Sequence, residues 1–144
     1  MSEGALTFAR TFAAPPARVF AALVEARHLE HWFCDACTSE MHAGGALVMR
    51  WTRAGNSGLP FEARWVAWSP PEEAAFTGGH AGYPDGTAGT VRFTLTALPD
   101  GGTELVVAHE APPGEAHRAV TASWREAWPR ALDRLVAYLS PATA

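Results

Sequence analysis

Four residues able to bind a metal stand at a strict spacing of three, His28-x-x-His31-x-x-Cys34-x-x-Cys37. Imidazole nitrogen and thiolate sulfur are zinc ligands, and Cys-x-x-Cys is a frequent half-site. Along one α-helix, residues three apart drift by about 60° at each step, so four cannot converge on one ion unless the helix ends midway. The pattern predicts a helix end near Phe33. A Cys-x-x-Cys that follows a helix lacks the helix N-terminus that lowers a thiol's pKa in redox motifs. The expectation is two reduced, dispensable surface thiols and no metal.

His109 is the other residue whose type and place could do chemistry. It ends the alternating pattern Thr103–His109 on the face that carries Leu105 and Val107. Near neutral pH an imidazole there could hydrogen-bond a ligand carbonyl or act as acid or base. The alternative is a histidine satisfied by backbone or exposed at the strand's end. Arg10 interrupts the Leu6, Phe8, Phe12 face and reads as a salt-bridge partner, with an anion anchor as the second reading. His80 and Tyr83 lie in a glycine-rich stretch, Gly78 to Gly89, that could act as a lid. No phosphate-binding loop, dinucleotide fingerprint, Gly-x-Ser-x-Gly elbow or zincin motif is present, so no cofactor is expected.

The elements that must position these residues follow from periodicity. Leu6–Phe12 alternates as a half-buried strand, and Ala13-Ala-Pro-Pro16 stops it and starts a helix over Ala17–Ala26. A second short helical turn covers His28–Phe33. Strands are predicted at Thr38–His42, Ala46–Trp51, Phe61–Trp68, Ala74–Thr77, Thr90–Leu98 and Thr103–His109. Turns fall at Gly44-Gly45, Gly55-Asn-Ser-Gly58, Ser69-Pro-Pro71 and Pro99-Asp-Gly-Gly102. From about Glu115 to Leu139, Val120, Trp124, Trp128, Leu132, Leu135 and Leu139 form an apolar helical stripe, with Pro129 inside it as a candidate kink. A sheet with one apolar face and one long amphipathic helix can bury both only by packing them together.

Composition bounds the rest. The 144 residues are one domain's worth of chain, 48% apolar and 18% charged, and need neither metal nor disulfide to fold. The net charge of −4 argues against nucleic acid or an anionic membrane surface as partner. No apolar run approaches the roughly 20 residues of a membrane span. The N-terminus lacks the basic start and apolar core of a signal peptide, so the expected address is cytoplasmic.

Several motifs occur in a fixed order: Ala14-Pro-Pro-Ala-Arg-Val-Phe20 after the first strand, His31-Trp-Phe33, Gly44-Gly45, Pro70-Pro-Glu-Glu73, and Trp128-Pro-Arg-Ala-Leu-Asp-Arg-Leu135. In this order the chain resembles the START/SRPBCC superfamily, the birch-pollen-allergen-like group. Within it the chain is most similar to the bacterial branch of heat-shock-chaperone ATPase activator homologues. The resemblance spans nearly the whole chain. It implies an α+β helix-grip fold: an antiparallel sheet of about seven strands, ordered β-α-α-β6-α, around a long C-terminal helix. It also implies a cavity and brings no metal.

Alternation places Leu47, Met49 and Trp51 on one inward face, with Phe61, Ala63, Trp65 and Ala67, then Val91, Phe93 and Leu95, on the next strands. Trp124 and Trp128 form the opposing wall. The expected function is a small-molecule binding domain holding an apolar or aromatic ligand, lined by Met49, Trp51, Trp65, Phe93, His109, Trp124 and Trp128. A packed core is the alternative for any one of these residues. A cyclase- or dehydratase-type enzyme using His109 and a chaperone-interacting module are the competing functions. The expected partner is an apolar small molecule, and the oligomeric state, a homodimer included, stays open.

Overall fold

The structure, a computed structural model, describes residues 5–52, 60–80, 89–110 and 115–140. Strand β1 (Ala5–Phe12) alternates as expected and sends Leu6 and Phe12 into the core. Pro15 stands extended at the N-cap, and Pro16 opens helix α1 (Pro16–Val24), where its missing N–H leaves no hydrogen bond unmade. Glu25 is again extended and leads directly into α2 (Ala26–Trp32). The two helices bury Val19, Phe20, Leu23, Leu29 and Trp32.

Six strands follow: β2 (Ala36–Ser39), β3 (Ala46–Arg50), β4 (Phe61–Ser69), β5 (Glu73–His80), β6 (Gly89–Ala97) and β7 (Thr103–Glu110). Helix α3 (Glu115–Leu139) closes the order. The strands make one antiparallel sheet, β1-β7-β6-β5-β4-β3-β2. This is the α+β helix-grip architecture expected from the sequence. Pro129 lies inside α3 without dividing it, and Trp124, Trp128, Leu132, Leu135 and Leu139 are buried beneath the helix. Each such side chain contributes about 1.5–3 kcal/mol, so together they rival the ~5–15 kcal/mol net stability of an ordinary domain. Among the described residues, no helix is long and apolar enough to cross a membrane.

The β6–β7 hairpin closes at the Pro99-Asp-Gly-Gly102 turn, where Gly101 takes φ +89° and its N–H donates to Leu98 O. The β2 strand departs from expectation. It covers Ala36–Ser39, ahead of the predicted Thr38–His42, because Glu40 turns back: its carboxylate accepts the Ala46 N–H at 2.8 Å, and its own N–H donates to Ala46 O. Gly45 permits that approach, since a Cβ there would lie 2.0 Å from Glu40 O.

A second departure is in β4. Trp65 pairs with Phe76 and Ala67 with Ala75, so Val66 is an extra residue, a β-bulge that leaves it 48% exposed. Alternation changes phase there. Trp68, and not Ala67, shares the inner face with Trp65: the Trp68 ring centroid lies 5.4 Å from that of Trp65 and 5.5 Å from that of Phe20. The expected turn at Gly55–Gly58, Tyr83, and the side chains of His80 and Val120 lie outside the described residues.

Antiparallel pairing fixes which ends of the strands lie together. Met49 opposes Phe61, Phe61 opposes His80, Gly78 opposes Gly89, and Thr90 opposes Glu110. The end of β3, the start of β4, the end of β5, the start of β6 and the end of β7 therefore form one rim. The opposite end, where Phe12, Ala97 and Thr103 meet, is tied to the segment between β1 and α1: Thr103 Oγ1 donates to Ala14 O at 2.8 Å.

Candidate functional site

Near that rim the sheet and α3 face each other through aromatic rings. His109, on the inner face of β7, is only 2% exposed. Trp128 Nε1 donates to His109 Nδ1 at 2.9 Å in a buried bond. That nitrogen must hold a lone pair, so the proton of the neutral imidazole sits on Nε2. The His109 ring also meets Trp124 edge-on, centroids 5.2 Å apart. Trp124 and Trp128, four residues apart on α3, lie 5.6 Å from one another.

Other rings complete the cluster. Trp51 lies 6.1 Å from Trp124 and 6.1 Å from Phe61, and Phe61 lies 5.9 Å from Trp124. Phe33 stacks on Trp128 at 5.2 Å and meets Trp51 at 5.4 Å, while its carbonyl accepts the Trp51 indole N–H at 2.5 Å. Phe93 touches Trp128 edge-on at 6.3 Å. Edge-to-face pairs of this kind add about 0.5–1.5 kcal/mol each beyond burial, so ring contacts stabilise this aromatic wall.

Of the residues singled out in the sequence, Trp51, Phe93, His109, Trp124 and Trp128 are thus joined through direct ring contacts and Phe33. Met49 is fully buried on β3, opposite Phe61. Trp65 lies deeper. It packs on Phe76 and Trp68, and its indole N–H donates to Ser39 Oγ at 3.2 Å. Phe33 and Phe76 were not among the sequence candidates. Phe76 had a signal, since it is the one large apolar residue of the predicted Ala74–Thr77 strand. Phe33 closed the predicted turn His28–Phe33 and the motif His31-Trp-Phe33, but nothing local pointed it at the wall, and in the structure it is the C-cap of α2.

The His/Cys series divides in two. His28 Nδ1 lies 2.6 Å from the Tyr138 hydroxyl, and His31 stacks on the Tyr138 ring at 5.1 Å. Burial, then the positive charge of Arg27, lowers the pKa of His28. Cys34 and Cys37 are free thiols, and each is the first influence on the other's pKa, raising that of Cys34 and lowering that of Cys37. Cys34 is buried at 5% exposure and Cys37 is half-buried, which corrects the expectation of two surface thiols: Cys34 packs into the core behind α2. Among the described residues, no group of three His, Cys, Asp or Glu side chains is placed to hold a metal. Arg10 takes the structural role, with Nη2 3.5 Å from Asp133 Oδ1 on α3.

A curved antiparallel sheet gripping a C-terminal helix, with two short helices across one end, defines the class to which this domain belongs. The family model for Activator of Hsp90 ATPase homolog 1-like protein matches residues 13–140, and the chain belongs to that family. Solved structures agree in fold. A Nitrosomonas europaea protein superposes with a TM-score of 0.81 at 17% identity, covering 96% of each chain. A Rhodobacter sphaeroides protein gives 0.77 at 27% identity, covering 94% of this chain and 91% of its own. The Aha1 dimer from Colwellia psychrerythraea gives 0.78 at 15% identity, covering 97% of this chain and 98% of its own. No curated protein matches the sequence.

Proposed function

We propose that this domain binds an apolar or aromatic small molecule between the sheet and α3, at the rim where Trp51, Phe61, His109 and Trp124 meet. The observation that carries the reading is His109. A buried imidazole on an otherwise apolar face costs free energy that a Leu or Phe would not, and here its partner is the indole of an equally buried Trp128. A polar pair set into an aromatic wall matches the composition of small-molecule sites: mostly apolar surface with few placed polar groups. Met49, Trp65 and Phe93 support this wall from behind. Membership of the family points the same way, since the fold is of a ligand-binding type.

Burying about 250 Å² of apolar ligand at roughly 25 cal/mol per Å² gives near 6 kcal/mol, a Kd of some tens of micromolar that entropy costs weaken further. The test is a titration of intrinsic fluorescence with fatty acids, sterols and aromatic polyketides. Saturable quenching or a shift that weakens in Trp124→Ala supports the reading. No saturable change from any of the three classes, together with stimulation of an Hsp90 ATPase by the protein, overturns it in favour of a chaperone-interacting module. The Colwellia protein's description as a dimer supports a homodimer for this chain as well, which sedimentation velocity would size.

A further inference from the structure

We propose that Cys34 and Cys37 form a reversible dithiol–disulfide site, in which Cys37 attacks a low-molecular-weight disulfide of the glutathione type and Cys34 resolves the product. The two residues belong to different elements. Cys34 follows α2 one residue beyond Phe33, while Cys37 sits on β2, the edge strand, opposite Met49. Their exposures are unequal: Cys34 is in the core, whereas Cys37 is half-buried. An attacking thiol must be reachable and a resolving thiol must be sheltered but adjacent. This pair meets both conditions.

That unequal exposure sets their roles, and the interaction of the two side chains acts in the same sense. The Cys34 thiol donates to Leu29 O at 3.7 Å, a long contact at the end of α2. Once Cys37 ionises, its thiolate is a stronger acceptor for that proton than a distant carbonyl. Interaction with Cys34 is the largest influence on Cys37 and lowers its pKa, against opposition from burial and from Glu30. The same interaction, followed by burial, pushes Cys34 well up, and Glu30 and Asp35 push it further. Glu30 is also fixed beside the pair, where its Oε2 accepts the Cys37 backbone N–H at 2.9 Å.

The chemistry balances without any group that is not named. The Cys37 thiolate attacks one sulfur of the disulfide RSSR, whose S–S bond breaks as RS⁻ leaves and Cys37–S–S–R forms. Cys34 gives its proton to that thiolate, making RSH, and its sulfur attacks the Cys37 sulfur. The second RS⁻ departs. Two electrons have passed from the pair to RSSR, and the new S–S bond ties the end of α2 to the sheet edge.

This inference does not depend on a ligand at the aromatic wall. Its test uses the full chain, equilibrated in glutathione buffers from fully reduced to fully oxidised, then acid-quenched and counted for free thiols. Both thiols should disappear together in one two-electron transition, with no glutathione retained. In the reduced native protein, a short pulse of iodoacetamide should label Cys37 at least about tenfold faster than Cys34. Cys34→Ser, or Cys34→Ala if a buried hydroxyl prevents folding, should instead retain one glutathione per chain on Cys37. If neither variant folds, the thiol count and the labelling ratio of the unaltered chain decide. Two free thiols in oxidised glutathione while circular dichroism stays native would overturn the proposal. So would equal labelling of the two cysteines, or a lasting glutathione adduct on the unaltered chain.

Discussion

The Trp128–His109 hydrogen bond predicts a specific pattern of stability losses. Trp128 is fully buried, donates to His109 Nδ1 at 2.9 Å, and packs on Phe33 and Trp124. Trp128→Phe keeps an aromatic ring but removes the N–H. The His109 lone pair then loses its buried donor at a cost of about 1–3 kcal/mol, and the missing part of the indole adds a cavity term. A total loss of about 2–4 kcal/mol follows. His109→Leu makes the reciprocal change, leaving the indole N–H without its acceptor at a similar cost of about 1–3 kcal/mol. In the double variant neither orphan remains. Its loss should therefore fall short of the sum of the single losses by about 2–3 kcal/mol. Urea unfolding followed by far-UV circular dichroism measures each value, since fluorescence itself changes when Trp128 is replaced. Losses that add within about 0.5 kcal/mol would refute the coupling and with it the assigned geometry.

Three further outcomes are expected. Trp32 is 1% exposed and its indole N–H donates to Ala22 O at 2.8 Å, so Trp32→Ala should cost about 3–5 kcal/mol in urea unfolding, whereas any ligand affinity that survives in the folded fraction should be unchanged. His28 has its pKa lowered in the folded protein, so its share of stability is complete above the unfolded value of about 6.5 and is lost as pH falls below it. His28→Asn should accordingly lose less melting temperature than the unaltered chain between about pH 7 and pH 5, and equal losses would contradict the assignment. Asp133→Ala breaks only an ion pair whose acid side chain is 75% exposed; urea titration should find a loss no greater than about 0.5 kcal/mol.

The parts of this fold that were legible in the sequence are those fixed by local chemistry. Pro99-Asp-Gly-Gly102 states its own turn, Pro16 states a helix start, and the stripe Trp124–Trp128–Leu132–Leu135–Leu139 states a buried helix face. Alternation likewise put Met49, Trp65, Phe93 and His109 on inner faces. What stayed hidden depends on contacts distant in sequence. The β2 strand ends where Glu40 captures Ala46, and Trp68 turns inward because of a bulge that no residue type announces. His28 and His31 meet Tyr138 across more than a hundred residues, which removed them from the Cys34–Cys37 pair. Phe33 joined the aromatic wall for the same reason: its place is decided by Trp51 and Trp128.

The most direct test of the central claim follows the indole N–H groups during ligand addition. The chain has six tryptophans, so a ¹⁵N-labelled sample gives one indole resonance for each. Trp51, Trp124 and Trp128 belong to the aromatic wall at the rim, whereas Trp32 is tied to Ala22 and Trp68 packs on Phe20 of α1. If the domain binds an apolar or aromatic molecule between sheet and α3, the resonances of Trp51, Trp124 and Trp128 move together and saturate, and those of Trp32 and Trp68 stay in place. Movement confined to Trp32 and Trp68, or no saturable movement across fatty acids, sterols and aromatic polyketides, would contradict the account.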